Sequence, residues 1–434
     1  MTLPLRMTEL QAQIHEAKLN PEEVLKEQYS QLKDLDQQFH PVVKTFPPQV
    51  GCQGPLHGIG FVHKDLFNLL GREPGFGHDA GKLNQDIETS SVIRRLEAAG
   101  ASYLAALVMA PYACGATSQN PHFPRCINPL NENYAVGGSS SGSAVAVASK
   151  MSYVSLGSDT TGSVRIPSAT CGITGLKTSA GLISLEGVAP LSKTLDTIGI
   201  LGRYAKDIEV ILDVIKSQPL ADAIKSPRLS FWLPENLLDP KVHSSIAIFL
   251  RELNVTNQID FPQFDHLVNA TNIVMAYEIN QQYAQEIASD HPPKGLKSVS
   301  KIAQGISQSQ YSQVIESLPK LTQTFIDQYL SDAEILILPC LGQSIPNWTE
   351  VEIGHPEFSR EAYLSLFQLM GFVNLLGLPA ISFPIGDDAN GRPVSIQAIA
   401  RPLQEKTLLE FAQEMEQRLF GGYCYIDQIH QRRA

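Results

Sequence analysis

The chain predicts an α/β fold, a mixed or parallel sheet covered by helices on both faces. Three observations carry that reading. Short apolar runs suited to buried strands recur between residues 104 and 384. Amphipathic stretches with apolar residues three and four apart fall between them. No internal repeat or low-complexity linker breaks the 434 residues, so one compact domain is favoured over two.

Residues 7–37 read as two charged helices. Leu10, Ile14 and Leu19, then Val24, Leu25, Tyr29, Leu32 and Leu35, recur at helical steps, with Asn20-Pro21 between them. Pro21 suits the first turn of the second helix and Asn20 its cap. The Pro- and Gly-rich stretch 46–60 reads as a connection. A helix is expected over 86–99, stopped by Gly100, then a buried strand over 104–110. Residues 143–149 open another helix, with small side chains on every face. Strands are expected at 153–156, 197–201, 229–233, 335–338 and 380–384. Amphipathic helices are expected at 205–217 and 406–419. The Gln/Ser-rich piece 300–325 reads as the least structured part, although Val314, Leu318, Leu321 and Phe325 keep helical spacing.

Composition narrows the function classes. Hydrophobic residues make up 43% and charged residues 18%, ordinary for a soluble globular protein. A net charge of −11 argues against nucleic acid or an anionic membrane as the main partner, since phosphate binding needs clustered Lys and Arg. Six cysteines are scattered without a Cys-x-x-Cys pair, so neither a zinc site nor a disulfide framework is indicated, and free thiols in a reducing compartment are expected. The first nine residues lack an apolar secretion core, and the most apolar segment, about 103–116, is too short to span a bilayer. A cytoplasmic protein is expected.

The chemistry concentrates in two serine-rich turns flanking an Ala/Val-rich run. The first is Gly137-Gly138-Ser139-Ser140-Ser141-Gly142-Ser143; the second is Gly157-Ser158-Asp159-Thr160-Thr161-Gly162-Ser163-Val164-Arg165. Lys64 lies upstream in Val62-His63-Lys64-Asp65-Leu66. A serine hydroxyl attacks a carbonyl only when a base takes its proton, and a lysine is a base only when neutral, which burial favours. Ser163 suits the nucleophile, Ser139 a relay hydroxyl and Lys64 the base. Consecutive amides of Thr160, Thr161, Gly162 and Ser163 suit an oxyanion hole, each donor worth about 3 kcal/mol of barrier. Plainer readings stand beside these: an ordinary turn capped by Asp159, a phosphate cradle at a helix start, a solvated lysine. A Ser–His–Asp site using His63 or His122 is a further alternative, although no Gly-x-Ser-x-Gly elbow surrounds Ser163.

These blocks resemble the amidase signature family. Ser163 follows Ser139 by 24 residues (163 − 139). The continuation Cys171-Gly172-Ile173-Thr174-Gly175-Leu176-Lys177 fits, as do the Lys64 segment, Asn374-Leu375-Leu376-Gly377-Leu378-Pro379 and Gln397-Ala398-Ile399-Ala400-Arg401-Pro402. The likeness covers residues 54–215 strongly and 334–420 moderately. It implies one α/β/α domain around a large, mostly parallel twisted sheet. N-terminal helices over 1–45 would pack on a catalytic domain spanning 46–434, with a variable helical insertion at 220–330.

It also implies roles: Ser163 as nucleophile, Ser139 after a cis peptide as relay, Lys64 as general base, and Asp159 and Arg165 holding the loop. No metal or organic cofactor is needed. Thr161 departs from the family, standing where the first of two glycines is usual, and a β-branched residue at positive φ there would be strained. The stretch Gly115-Ala116-Thr117-Ser118-Gln119-Asn120-Pro121-His122 is similar to one in allophanate-type hydrolases. That likeness places Thr117, Ser118, Gln119, Gly137 and Gly138 at the substrate pocket and favours a small linear amide over a fatty-acid amide. The expected partner is a small-molecule amide, with no nucleic acid and no membrane; a homodimer is compatible. The alternative is a glutaminase-type subunit of a tRNA-dependent amidotransferase.

Overall fold

The computed structural model describes residues 3–79 and 81–433. Met1, Thr2, Ala80 and Ala434, which the expected domain bounds include, lie outside the described residues. Twelve strands form among the described residues: β1 Val42–Thr45, β2 Gly60–Lys64, β3 Arg72–Glu73, β4 Lys82–Leu83, β5 Ser102–Leu107, β6 Val154–Asp159, β7 Thr174–Lys177, β8 Thr197–Gly202, β9 Leu229–Phe231, β10 Ile335–Pro339, β11 Ala380–Asp387 and β12 Pro393–Ile399. Ten of them make one mixed sheet in the order β1-β5-β2-β6-β8-β7-β11-β12-β10-β9; β3 and β4 form a separate hairpin.

The large mixed sheet is as expected, but the parallel majority is not. Only β2–β5, β2–β6 and β9–β10 pair in parallel; the other neighbours, from β6–β8 through β10–β12, and β1–β5, run antiparallel. Two features account for this. β8 inserts between β6 and β7 and runs against both. β11 and β12 are joined by a tight turn in which Asp388 N–H donates to Arg392 O at 2.8 Å, and so short a link can connect only antiparallel strands.

Alternation along single strands buries both sheet faces. On β10, Ile335 and Ile337 enter one core cluster with Ile208, Leu212, Leu408 and Phe411, while Leu336 and Leu338 enter another with Phe264, Leu267, Phe325 and Phe372. The helices responsible include Ala205–Ile215 and Glu405–Phe420 on one side and Phe264–Gln282 and Gln308–Tyr329 on the other. Among the described residues, no helix is long and apolar enough to cross a membrane.

Local signals explain most boundaries. Helices Met7–His15 and Pro21–Phe39 break where expected, and the Asn20 side chain accepts from Glu22 N at 2.9 Å. The helix expected over 86–99 starts only at Ser91. Residues before it are drawn onto the preceding loop, with Gly71 N–H on Ile87 O and Leu70 N–H on the Thr89 hydroxyl. The piece 300–325 is well structured: helix Lys294–Ala303, then Gln308–Tyr329, opened by a Ser307/Gln310 capping box. Strand β5 ends at Leu107 rather than 110, because Val108 and Ala110 turn to the serine-rich segment: Gly142 N–H donates to Val108 O, and Ala110 N–H to Ser139 O.

Candidate active site

The sheet topology gathers the chemistry on one edge. β2 and β6 are parallel neighbours, so Lys64 and the Ser158-Asp159 pair emerge at the same ends. β8 runs back against β6 with Asp159 opposite Thr197, which puts Asp196 at the same edge. Ligand sites in sheets of this kind form where parallel strands end.

Lys64 is fully buried, and its Nζ donates to Ser139 Oγ at 2.7 Å and to Ser158 Oγ at 2.8 Å. Burial lowers its ammonium from 10.5 to about 7; Asp196 and then Asp159 pull it partly back up. The peptide between Gly138 and Ser139 is cis. Ser163 is joined to this turn through its backbone: Ser140 N–H donates to Ser163 O at 3.2 Å. Ser163 is 7% exposed. Lys64 and Ser139 therefore meet directly, Ser163 is tied by its backbone to the residue after Ser139, and the solvated-lysine alternative does not hold.

The turn that carries Ser163 is built around one carboxylate. Asp159 Oδ1 accepts Gly162 N–H at 2.8 Å, and Oδ2 accepts the amides of Val164 at 3.1 Å and Arg165 at 3.3 Å. Arg165 reaches back with Nε at 3.1 Å and Nη2 at 2.9 Å, both groups fully buried. Its remaining donors reach Gln397 Oε1 at 2.8 Å and Asn374 Oδ1 at 2.6 Å, and Asn374 returns to Asp159 O at 2.8 Å. Burial raises the Asp159 carboxyl, but Arg165, Lys177 and the amides outweigh it and hold the group well below the usual carboxylate range. Asp159 and Arg165 therefore brace the loop, as expected.

The four-amide oxyanion hole needs one correction. Gly162 N–H is spent on Asp159, whereas the amides of Thr160, Thr161 and Ser163 have no hydrogen bond to any described residue. Gly162 itself sits at φ +123°, where a Cβ would lie 2.6 Å from Met370 Sδ. Thr161 is not among the residues at positive φ, so the substitution of the usual glycine carries no backbone strain.

The expected pocket residues separate. Gly138 lies against the Thr117 backbone; a Cβ there would meet Thr117 O at 2.3 Å. Thr117 and Ser118 are buried beside it. Gly137 faces Ile166 and Pro167, on the helix that follows Ser163. Gln119 is occupied elsewhere, with its amide paired to both backbone groups of Ile353. His63 does not serve as a base: Nδ1–H donates to Lys64 O at 3.0 Å, the ring packs on Phe46 and Phe67, and burial lowers it to about 4. His122 is exposed and stacks near His78.

Two neighbours of the site are not singled out by the sequence. Ser158 shares the Lys64 ammonium with Ser139. Asp196 accepts the Thr160 hydroxyl at 2.6 Å. Ser158 stands inside the second serine-rich turn, and its place at a strand end is a usable signal; Asp196 gives none beyond preceding an expected strand.

Comparison with known proteins agrees with this fold. The family model described as Amidase matches residues 12–409. Amidase 1 of Oryza sativa subsp. japonica is 28% identical, covering 86% of this chain and 94% of its own length. A glutamyl-tRNA(Gln) amidotransferase subunit from Lachnoclostridium phytofermentans is 26% identical, covering 95% and 97%. A crystal structure of an amidase superposes with a TM-score of 0.83 at 23% identity, covering 96% of this chain and all of that one.

Proposed function

This chain belongs to the amidase family and is an amide-hydrolysing enzyme, and from that premise we propose that it works through an acyl-enzyme on Ser163 with neutral Lys64 as base. The observation that carries the proposal is a buried lysine, lowered to about 7, with Nζ 2.7 Å from Ser139 Oγ. Ser163 Oγ attacks the amide carbonyl as its proton passes through Ser139 to Lys64. The amides of Thr161 and Ser163 receive the oxyanion. The C–N bond breaks as the Lys64 proton returns through Ser139 to the leaving nitrogen, releasing ammonia or an amine. Water, deprotonated by the same route, attacks the Ser163 ester and frees the acid.

We read the substrate as a small linear amide. Support comes from the burial of Ser163, 7% exposed, and of Thr117 and Ser118. The six free cysteines support a reducing, cytoplasmic setting within the same reading. The test is a panel of small and long-chain amides read by released ammonia or amine, with Ser163→Ala as control; turnover confined to long acyl chains overturns the substrate class. The amidotransferase relative, matched along nearly its whole length, favours a second reading as a glutaminase component of a larger complex. Glutamine turnover that appears only with a co-purified partner selects it.

A further inference from the structure

Asp196 lies outside every motif of the sequence, yet its carboxylate is fully engaged at the catalytic edge. Oδ1 accepts the Thr160 hydroxyl at 2.6 Å, and Oδ2 accepts the amides of Leu191 at 2.7 Å and Ser192 at 3.0 Å. The loop that supplies these amides is itself fixed from the far side. Glu278, on helix Phe264–Gln282, accepts Ser192 Oγ at 2.5 Å, Thr194 N at 3.0 Å, the Thr194 hydroxyl, and Tyr311 OH at 2.8 Å from helix Gln308–Tyr329. An unbroken set of hydrogen bonds therefore runs from two distant helices to the residue that opens the nucleophile turn.

We propose that Asp196 is a positioning residue for hydrolysis, holding the Thr160–Ser163 turn in register with Lys64 by tying it to helix Phe264–Gln282. The proposal rests on the reading of Ser163 as nucleophile and Lys64 as base. Thr160 stands in the same turn as the free amides of Thr161 and Ser163, so a displaced Thr160 moves the oxyanion donors, and misplacement by about 1 Å costs on the order of 10²-fold in rate. The same carboxylate is the foremost negative charge acting on Lys64, ahead of Asp159 on β6. Other charged or titratable groups face the pair. Tyr283 senses Asp196 from the end of its helix. His63 is neutral with its ring turned to Lys64 O, and Asp65 is paired with Arg72.

The pH dependence has a definite sign. Removing the Asp196 charge leaves Lys64 easier to deprotonate, so the pH at which the site becomes active falls.

The experiment is the rate of Ser163 labelling by a fluorophosphonate, followed from pH 5 to 9 in the full chain, which needs no knowledge of the natural substrate. Asp196→Asn is expected to move the acid limb down by about one pH unit and to lower the plateau about tenfold or more. Thr160→Val, which removes one hydroxyl and no charge, is expected to lower the plateau with the midpoint unmoved, and Thr160→Ser to restore it. An Asp196→Asn profile identical to wild type, while Lys64→Ala abolishes labelling, overturns the role of Asp196 alone. A wild-type plateau in Thr160→Val does the same where Asp196→Asn folds poorly. Undiminished labelling of Lys64→Ala overturns the hydrolytic reading itself, and the Asp196 role with it.

Discussion

The segment 137–177 and the segment 220–330 are built on opposite terms. In the first, helix Ser141–Ala148 buries all eight of its residues, and the polar atoms of Asp159 and Arg165 each have a hydrogen-bond partner. In the second, helix Gln308–Tyr329 runs for 22 residues and buries only Phe325 and Tyr329. Where the polar turns lie, nearly every position is buried and its polar atoms are paired. Where a helix only has to cover a sheet face, an apolar stripe is enough and the remaining positions are free. The contrast is not complete, because Glu278 of the second segment, itself held by Tyr311 OH, accepts from Ser192 and Thr194 beside the site.

That contrast can be broken by experiment. The largest effect falls on the reacting groups: Ser163→Ala and Lys64→Ala are each expected to lower kcat/KM by about 10⁴-fold or more while circular dichroism stays native. Comparable activity in Lys64→Ala together with loss in His63→Ala overturns the lysine as base. Next comes the backbone of the turn. Gly162→Ala must leave φ +123° or press on Met370, and is expected to cost on the order of 10²-fold in kcat. Unimpaired kcat there means that the turn tolerates a side chain after all.

Bracing should show in stability before rate. Arg165→Met leaves Asp159 buried and uncompensated and is expected to cost about 3–5 kcal/mol in denaturant unfolding. The pH dependence tests the same interior. Lys64 and Lys177 are both lowered from 10.5 to about 7 by burial, Lys177 also by Arg165. Between pH 7 and 10.5 the unfolded chain therefore binds protons that the folded chain does not, so stability rises with pH across that window. Hydrolysis is expected to rise with a midpoint near pH 7, as Lys64 becomes neutral. Lys64→Met is expected to gain about 1–3 kcal/mol at pH 7 while losing activity, a direct readout of what the buried ammonium costs. The smallest effect falls on the outlying helices. Ser307→Ala removes one capping hydrogen bond and is expected to cost about 1 kcal/mol with kcat unchanged.

Much of the site was legible because its residues are dictated locally. Lys64, Ser139 and Ser163 stand in short strings whose glycines and serines have few other uses, and Asp159 with Arg165 lies in the same turn. Glu278 and Asp196 were not legible, since an acidic residue on a helix or before a strand looks solvated until the fold surrounds it. Strands were missed for similar reasons. β2 carries His63 and Lys64, β7 is Thr-Gly-Leu-Lys, and β12 opens with Pro393, so none reads as an apolar run. All three are buried because neighbours cover them, not because their own composition demands it.

By itself the sequence determined the candidate serines and lysine, the turns that carry them and the alternation of helix and strand, because these follow from side-chain chemistry and short-range backbone preference. Only the folded chain decided the strand directions, the low proton affinity of Lys64, the pairing of the Gly162 amide with Asp159 and the link from Glu278 to Thr160. Each of these depends on which distant groups share a dry interior, and burial and pairing energies are properties of that shared space rather than of any stretch of the chain.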